Sequence, residues 1–170
     1  DEDQVFGLFA TRADGRGETL SLAGSLGEGG SVLPGFALSP TGTRAAFLHS
    51  AGTGAAGWLY SATLTHASTP LVLEVQVGLA LQTQSLVIDS TGTRVFYHKQ
   101  RGLFGPSDLR SVRLDGAGVA LSLNPPSGSV GEFQLSPDGS VALYLSDQDL
   151  SGVMELYRVP PDGSAPATKL

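Results

Sequence analysis

Asp147, Asp149, Ser151 and Glu155 place side-chain oxygens at positions 1, 3, 5 and 9 of one segment, with Gly152 at position 6. A run of that kind can wrap a hard cation, and calcium is the ion whose adaptable oxygen shell it suits. Position 12, where a helix–loop–helix calcium site carries a bidentate glutamate, is Arg158. The plainer alternative is a polar loop in which Asp147 and Asp149 form Asx-turns with their own backbone. No cofactor is expected, with calcium the candidate that these oxygens suit.

Gly52-x-Gly54-x-x-Gly57 carries the letters of a dinucleotide fingerprint. That chemistry needs the loop to open a helix whose N-terminal amides face a pyrophosphate. Trp58-Leu-Tyr-Ser-Ala-Thr-Leu follows instead, a strand-forming run, so the glycines read as a hairpin loop. The three histidines, His49, His66 and His98, have no acidic residue at a spacing that would pair with them locally, and Gly-x-Ser-x-Gly is absent. No catalytic residue is assigned, and the chain is not expected to be an enzyme. Without cysteine, disulfides and thiolate chemistry are excluded. A net charge of −6 disfavours nucleic acid as a partner. No apolar run approaches the ~18 residues of a membrane-spanning helix. Trp58, Arg101 and Phe104, at or beside the B–C loops, are the candidate binding residues of a loop rim, although for Trp58 plain packing is the preferred reading.

The elements that must position these residues come from an internal repeat. Phe36-Ala-Leu-Ser-Pro-Thr-Gly42, Leu86-Val-Ile-Asp-Ser-Thr-Gly92 and Phe133-Gln-Leu-Ser-Pro-Asp-Gly139 share one pattern, two apolar residues flanking any residue and then a turn closed by glycine. Five residues past each glycine stands Phe47, Tyr97 or Tyr144, and seventeen past it Leu59, Leu109 or Leu156. Each unit runs 37 positions from first apolar residue to last, ending at Leu73, Leu123 and Leu170. Leu8, Leu20 and Leu22 repeat the outer part of the pattern once more. Every unit reads as four short strands, A to D. The turn after strand A uses Ser or Asp as a side-chain cap and places glycine where φ is positive. Asp14-Gly15, Asp115-Gly116 and Asp162-Gly163 mark the C–D hairpins. Arg44 and Arg94, two residues past their turn glycines, read as solvated strand residues whose stems cover apolar surface. No helix is expected.

Four-stranded antiparallel units recurring every 47 to 51 residues are the pattern of β-propeller blades. The expected fold is all-β: a C–D half-blade at 1–23 and three complete blades at about 36–73, 86–123 and 133–170. Phe133-Gln-Leu-Ser-Pro-Asp-Gly-Ser-Val-Ala-Leu-Tyr-Leu-Ser-Asp, with Glu155-Leu-Tyr-Arg-Val-Pro-Pro-Asp-Gly after it, resembles the WD-like repeat of TolB-type propellers. The likeness is looser in the middle unit, where Asp89-Ser90-Thr91 replaces Ser-Pro-Asp and Leu109-Arg110 replaces Leu-Tyr. Propellers close with about four to eight blades. The segment is therefore expected to belong to a larger closed propeller, with missing blades as partners, or to self-associate.

The resemblance implies a non-catalytic scaffold that binds a protein or ligand in the bacterial envelope, periplasmic or extracellular. The D–A connections, 24–35, 74–85 and 124–132, vary between units and are free to carry specificity. Propellers of this class also sit beside the hydrolase domains of prolyl-oligopeptidase-like enzymes. On that reading this is a gating domain whose catalytic residues lie outside the chain. A structural module assembling through open blade edges is the third reading.

Overall fold

A computed structural model describes residues 6–24, 26, 30–50, 57–77, 86–102 and 105–170. Among them every regular element is a strand. The half-blade is a two-stranded ribbon, β1 (Phe9–Ala10) with β2 (Leu20–Ser21). Blade I follows as β3 (Ser31–Leu38), β4 (Arg44–Ser50), β5 (Gly57–Thr63) and β6 (Leu71–Glu74). Blade II is β7 (Val87–Ile88), β8 (Arg94–Gln100), β9 (Ser107–Arg113) and β10 (Leu121–Ser122). Blade III is β11 (Val130–Leu135), β12 (Ala142–Ser146), β13 (Glu155–Val159) and β14 (Thr168–Lys169). Each blade is a meander in which sequence neighbours pair antiparallel.

The turns explain the constant unit length. In the A–B turn the first side chain accepts from the far strand: Ser39 Oγ from the Arg44 amide at 3.0 Å, Asp89 Oδ1 from Arg94 at 3.1 Å, Ser136 Oγ from Val141 at 3.0 Å. Gly42, Gly92 and Gly139 sit at φ of 65°, 70° and 72°, the left-handed region that a Cβ disfavours. In blades I and III strand A is longer than its apolar pair announces, while in blade II it is only Val87–Ile88. β3 begins at Ser31, pairs Val32 with His49, shifts register, and resumes at Phe36 opposite Phe47. Pro34 and Gly35 occupy that irregular stretch, where a missing amide and a φ of 95° are tolerated. The connections predicted at 24–35 and 124–132 are accordingly shorter.

The core lies between the blades. One layer joins Leu22 and Ala23 to Ala45, Phe47, Tyr60 and Ala62. A second joins Ala46, Leu48 and Leu59 of blade I to Val95, Tyr97, Val112 and Leu114 of blade II. A third joins Phe96 and Leu109 of blade II to Phe133, Tyr144, Tyr157 and Val159 of blade III. Period-2 alternation thus sends each strand's residues into two different layers, as stacked sheets require. Leu8, Leu20 and Leu22 pack on blade I and are not the open face that a missing A–B pair would leave. Exposed apolar side chains include Phe9, Phe36 and Leu38 at the half-blade end and Leu143, Met154 and Leu156 on blade III.

Candidate binding rim

At one edge of every blade strand B ends, strand C begins, and the D–A connection crosses to the next blade. Between blades II and III side chains hold this edge. Arg101 follows β8 and pairs its Nε with Asp108 Oδ1 at 3.2 Å. The same guanidinium donates to the carbonyls of Pro126 and Gly128. Asn124 Oδ1 accepts from the Leu109 amide at 2.8 Å, and its Nδ2 donates to Asp108 Oδ1 at 3.3 Å. The Ser107 amide donates to Ser129 Oγ, and the Ser129 amide to Asp147 Oδ1. The stretch 124–129 is thus tied down along its length, and Arg101 is its clamp. Phe104 lies outside the described residues.

Trp58, the second residue of β5, pairs with His49 and stacks on Tyr60 at a centroid distance of 6.4 Å. Tyr60 is held in turn by Phe47, stacked at 5.8 Å, and by the edge of His49 at 6.0 Å. Trp58 keeps 37 % of its surface exposed above this stack, an anchored aromatic presented at the rim. Gly57 also belongs to β5, so no helix follows the glycine run; residues 51–56 lie outside the described ones. His98 faces away from His49's side and lies edge-on to Phe133 at 5.1 Å.

The four residues weighed for calcium are not gathered round one point. Asp147 Oδ1 accepts from Ser129 and Oδ2 accepts from the Gly152 amide at 2.9 Å, bonds that lower its pKa below the ordinary value. Lys169 Nζ sits 3.4 Å from Asp149 Oδ2 and 2.6 Å from Glu155 Oε1, placing a cation of the chain between those carboxylates. Ser151 is exposed. No cluster of three metal-binding side chains occurs among the described residues. Asp147 is thus committed to the Ser129 amide of the preceding connection and the Gly152 amide five residues on, not to an Asx-turn two residues on.

Sequence reasoning missed the polar joints between blades. Arg44, read as a solvated strand residue, donates from one nitrogen to Ser61 Oγ at 3.0 Å and to the Leu114 carbonyl of blade II at 3.1 Å. Arg94 donates to Ser111 Oγ at 3.0 Å, and that hydroxyl donates to the Pro161 carbonyl of blade III at 3.0 Å. The readable signal was the pairing of arginine two residues past the turn glycine with serine nineteen past it, in blades I and II alone. Glu74 forms the second joint. Its carboxylate accepts from Tyr97 at 2.8 Å, Lys99 at 2.9 Å and Arg110 at 3.1 Å, all from blade II. Burial and the Glu74 carboxylate keep the Tyr97 phenol protonated, with its pKa pushed up.

No family model and no curated protein matches the chain. Solved structures do. A protein assigned as TolB from Agrobacterium tumefaciens is 22 % identical, with a TM-score of 0.58 over 81 % of this chain and 46 % of that one. TolB from Acinetobacter baumannii is 16 % identical, with a TM-score of 0.59 over 95 % of this chain and 36 % of that one. The fold is that of β-propeller blades. A structure from a study of two prolyl endopeptidases reaches a TM-score of 0.62 at 16 % identity, over 95 % of this chain and 25 % of that one. At these identities the likeness is one of fold, and the propeller fold hosts unrelated functions. The chain spans less than half the length of these structures.

Proposed function

We propose that the chain is a TolB-like, non-catalytic binding scaffold of the cell envelope or extracellular space, taking a protein or ligand at the loop rim. The observation that carries this reading is Trp58. An aromatic ring locked by Tyr60 and still 37 % exposed loses little conformational entropy on contact, which is the property of an interface hot spot. The envelope location rests on the resemblance of the Ser136-Pro-Asp-Gly139 repeat to TolB-type propellers. The test is cross-linking of the tagged chain in an envelope extract. A partner captured by the wild type should be lost on Trp58→Ala and retained on Leu143→Glu, which lies on blade III away from the rim. Capture indifferent to Trp58→Ala would remove the rim from the proposal.

The likeness to a prolyl endopeptidase structure favours a second reading, a propeller that gates a hydrolase domain. Its catalytic residues would then lie outside these 170. A nucleophile-elbow motif elsewhere in the same reading frame would support it, and its absence from the complete reading frame would count against it.

A further inference from the structure

Six residues past the turn glycine, strand B carries Leu48 in blade I and Leu145 in blade III, but His98 in blade II. Leu48 fills the apolar layer between blades I and II and is 2 % exposed. His98 stands at the same point of the next joint, between blades II and III. Its ring lies edge-on to Phe133 of β11 at 5.1 Å, with a hydrogen bond at the Gly131 backbone. Its Nε2 is buried with no hydrogen-bond partner. Ser146 Oγ, in step with Ala142 and Tyr144 on β12, is buried and unpartnered as well, so neither atom serves the other.

An imidazolium at this point has no carboxylate to pair with among the described residues. Across the joint, Glu132 of β11 is exposed, and Asp147 after β12 accepts from the Ser129 and Gly152 amides. Tyr144 and Tyr157 give their hydroxyls to Gln148 and Glu155, and Glu155 also pairs with Lys169. Arg158 of β13 is exposed. On blade II, Lys99 and Arg110 belong to Glu74 on the blade I side, and Arg101 and Asp108 pair with each other. Protonating His98 therefore sets an uncompensated charge against Phe133, and burial already holds its pKa below 6.5.

The connection 124–129 bridges this same joint. Arg101 donates to the carbonyls of Pro126 and Gly128, and the Ser107 amide donates to Ser129 Oγ at 3.1 Å. Gly128 is pressed onto blade III, where a Cβ would lie 2.5 Å from Gln148 Cα. The joint between blades I and II is bridged by other means. The Gln100 amide donates to the Val77 carbonyl at 3.1 Å, and Glu74 ties down Tyr97, Lys99 and Arg110. We propose that the joint between blades II and III is an acid-operated latch. Protonation of His98 parts its rim end and releases the connection 124–129, while the joint between blades I and II stays shut. The latch is independent of whatever the rim binds.

Once the joint parts, His98 is solvated and regains the ordinary imidazole pKa of about 6.5. Lowering the pH from about 7.5 to about 5.5 then favours the open form by up to about tenfold. Residue-resolved amide hydrogen exchange of the whole chain, corrected for the intrinsic pH dependence of exchange, reads that opening. The Ser107 amide reports on the joint between blades II and III, and that of Gln100, its cross-strand neighbour, on the joint between blades I and II. Protection at Ser107 should fall several-fold at the lower pH, and protection at Gln100 should hold. His98→Leu, which restores the residue of both sibling blades, and His98→Gln should each abolish the fall. His66→Gln, at an exposed position, should retain it. Constant protection at Ser107 in the wild type, an equal fall at Gln100, or a fall that persists in whichever His98 variant folds would each overturn the latch.

Discussion

Phe36 and Phe133 hold the same place in the repeat, six residues before the turn glycine, and meet opposite surroundings. Phe133 is 8 % exposed, packed with Phe96 and Tyr144, while Phe36 is 57 % exposed. Both lie on the side of their sheet that faces the preceding blade. Phe133 has a whole blade there, and Phe36 has a ribbon of two short strands. A repeated sequence pattern therefore determines toward which layer a side chain points, and the neighbour alone determines whether that layer is dry.

The largest expected effect breaks the comparison directly. Phe133→Ala should destabilise by about 3–5 kcal/mol, because it empties a closed layer. Phe36→Ala should cost under about 1 kcal/mol in the same denaturant titration. Equal losses would mean that something covers Phe36 in solution.

Glu74→Gln tests the polar side of the joint between blades I and II. It leaves Lys99 and Arg110 facing each other without their carboxylate and should cost about 2 kcal/mol. Burial raises the Glu74 pKa, but the hydrogen bonds from Lys99 and Tyr97 and the charge of Arg110 outweigh it, so the folded value lies below the ordinary 4.5. A carboxylate depressed in this way contributes stability above its unfolded pKa and loses it as pH falls through the folded one. Acid titration should show that loss below pH 4.5 in the wild type and a smaller one in the variant.

The turn glycines rank the joints. Gly139→Ala adds a contact with Ser90 at 2.9 Å to its backbone strain, Gly92→Ala adds ordinary contacts with Pro40 and Ser39, and Gly42→Ala meets open space. Thermal midpoints should fall in that order, with Gly42→Ala near the ~1 kcal/mol of backbone strain alone. A loss at Gly42 matching that at Gly139 would show that space to be filled.

His98 occupies the position of Leu48 and Leu145, and its Nε2 is buried without a hydrogen-bond partner. Burial, against a hydrogen bond at Gly131, lowers its pKa below 6.5. The unfolded chain therefore takes up the proton first, and stability falls as pH drops below 6.5 toward the folded value. His98→Leu should gain about 1 kcal/mol and flatten the profile in that window. The smallest effect is expected from calcium. Lys169 already lies between Asp149 and Glu155, so millimolar calcium should barely move the melt of the wild type. Lys169→Met should enlarge the response by unmasking the two carboxylates.

The blades were legible because their punctuation is local. Ser39, Asp89 and Ser136 each cap a turn within five residues, and the glycines that close those turns show the positive φ that the motif requires. The start of β3 was not, because Pro34-Gly35 reads as a loop and only the register shift opposite His49 and Phe47 makes it part of a strand. At the rim, Trp58 reads locally as an aromatic near the start of strand C, and it is the second residue of β5. The commitment of Arg101 to Asp108, Pro126 and Gly128 is not local, because it depends on the next D–A connection folding back over it. Arg44 was misread for the same reason: its partner carbonyl at Leu114 is 70 residues away.

The forward reach of Arg44 and Arg94 gives the stack a polarity. Blade I hands the Arg44 guanidinium to the Leu114 carbonyl of blade II. Blade II reaches the Pro161 carbonyl of blade III through the Ser111 hydroxyl that Arg94 holds, so a blade's front and back cannot be exchanged. Two fronts brought together would set cation against cation and leave the receiving carbonyls unclaimed. Such a grammar rejects mirror-ordered or shuffled stackings, the usual hazard of chains made of near-identical units. Blade III departs from it, with Val141 where the arginine should stand and Arg158 where the serine should. The front of blade III therefore does not carry this arginine–serine device.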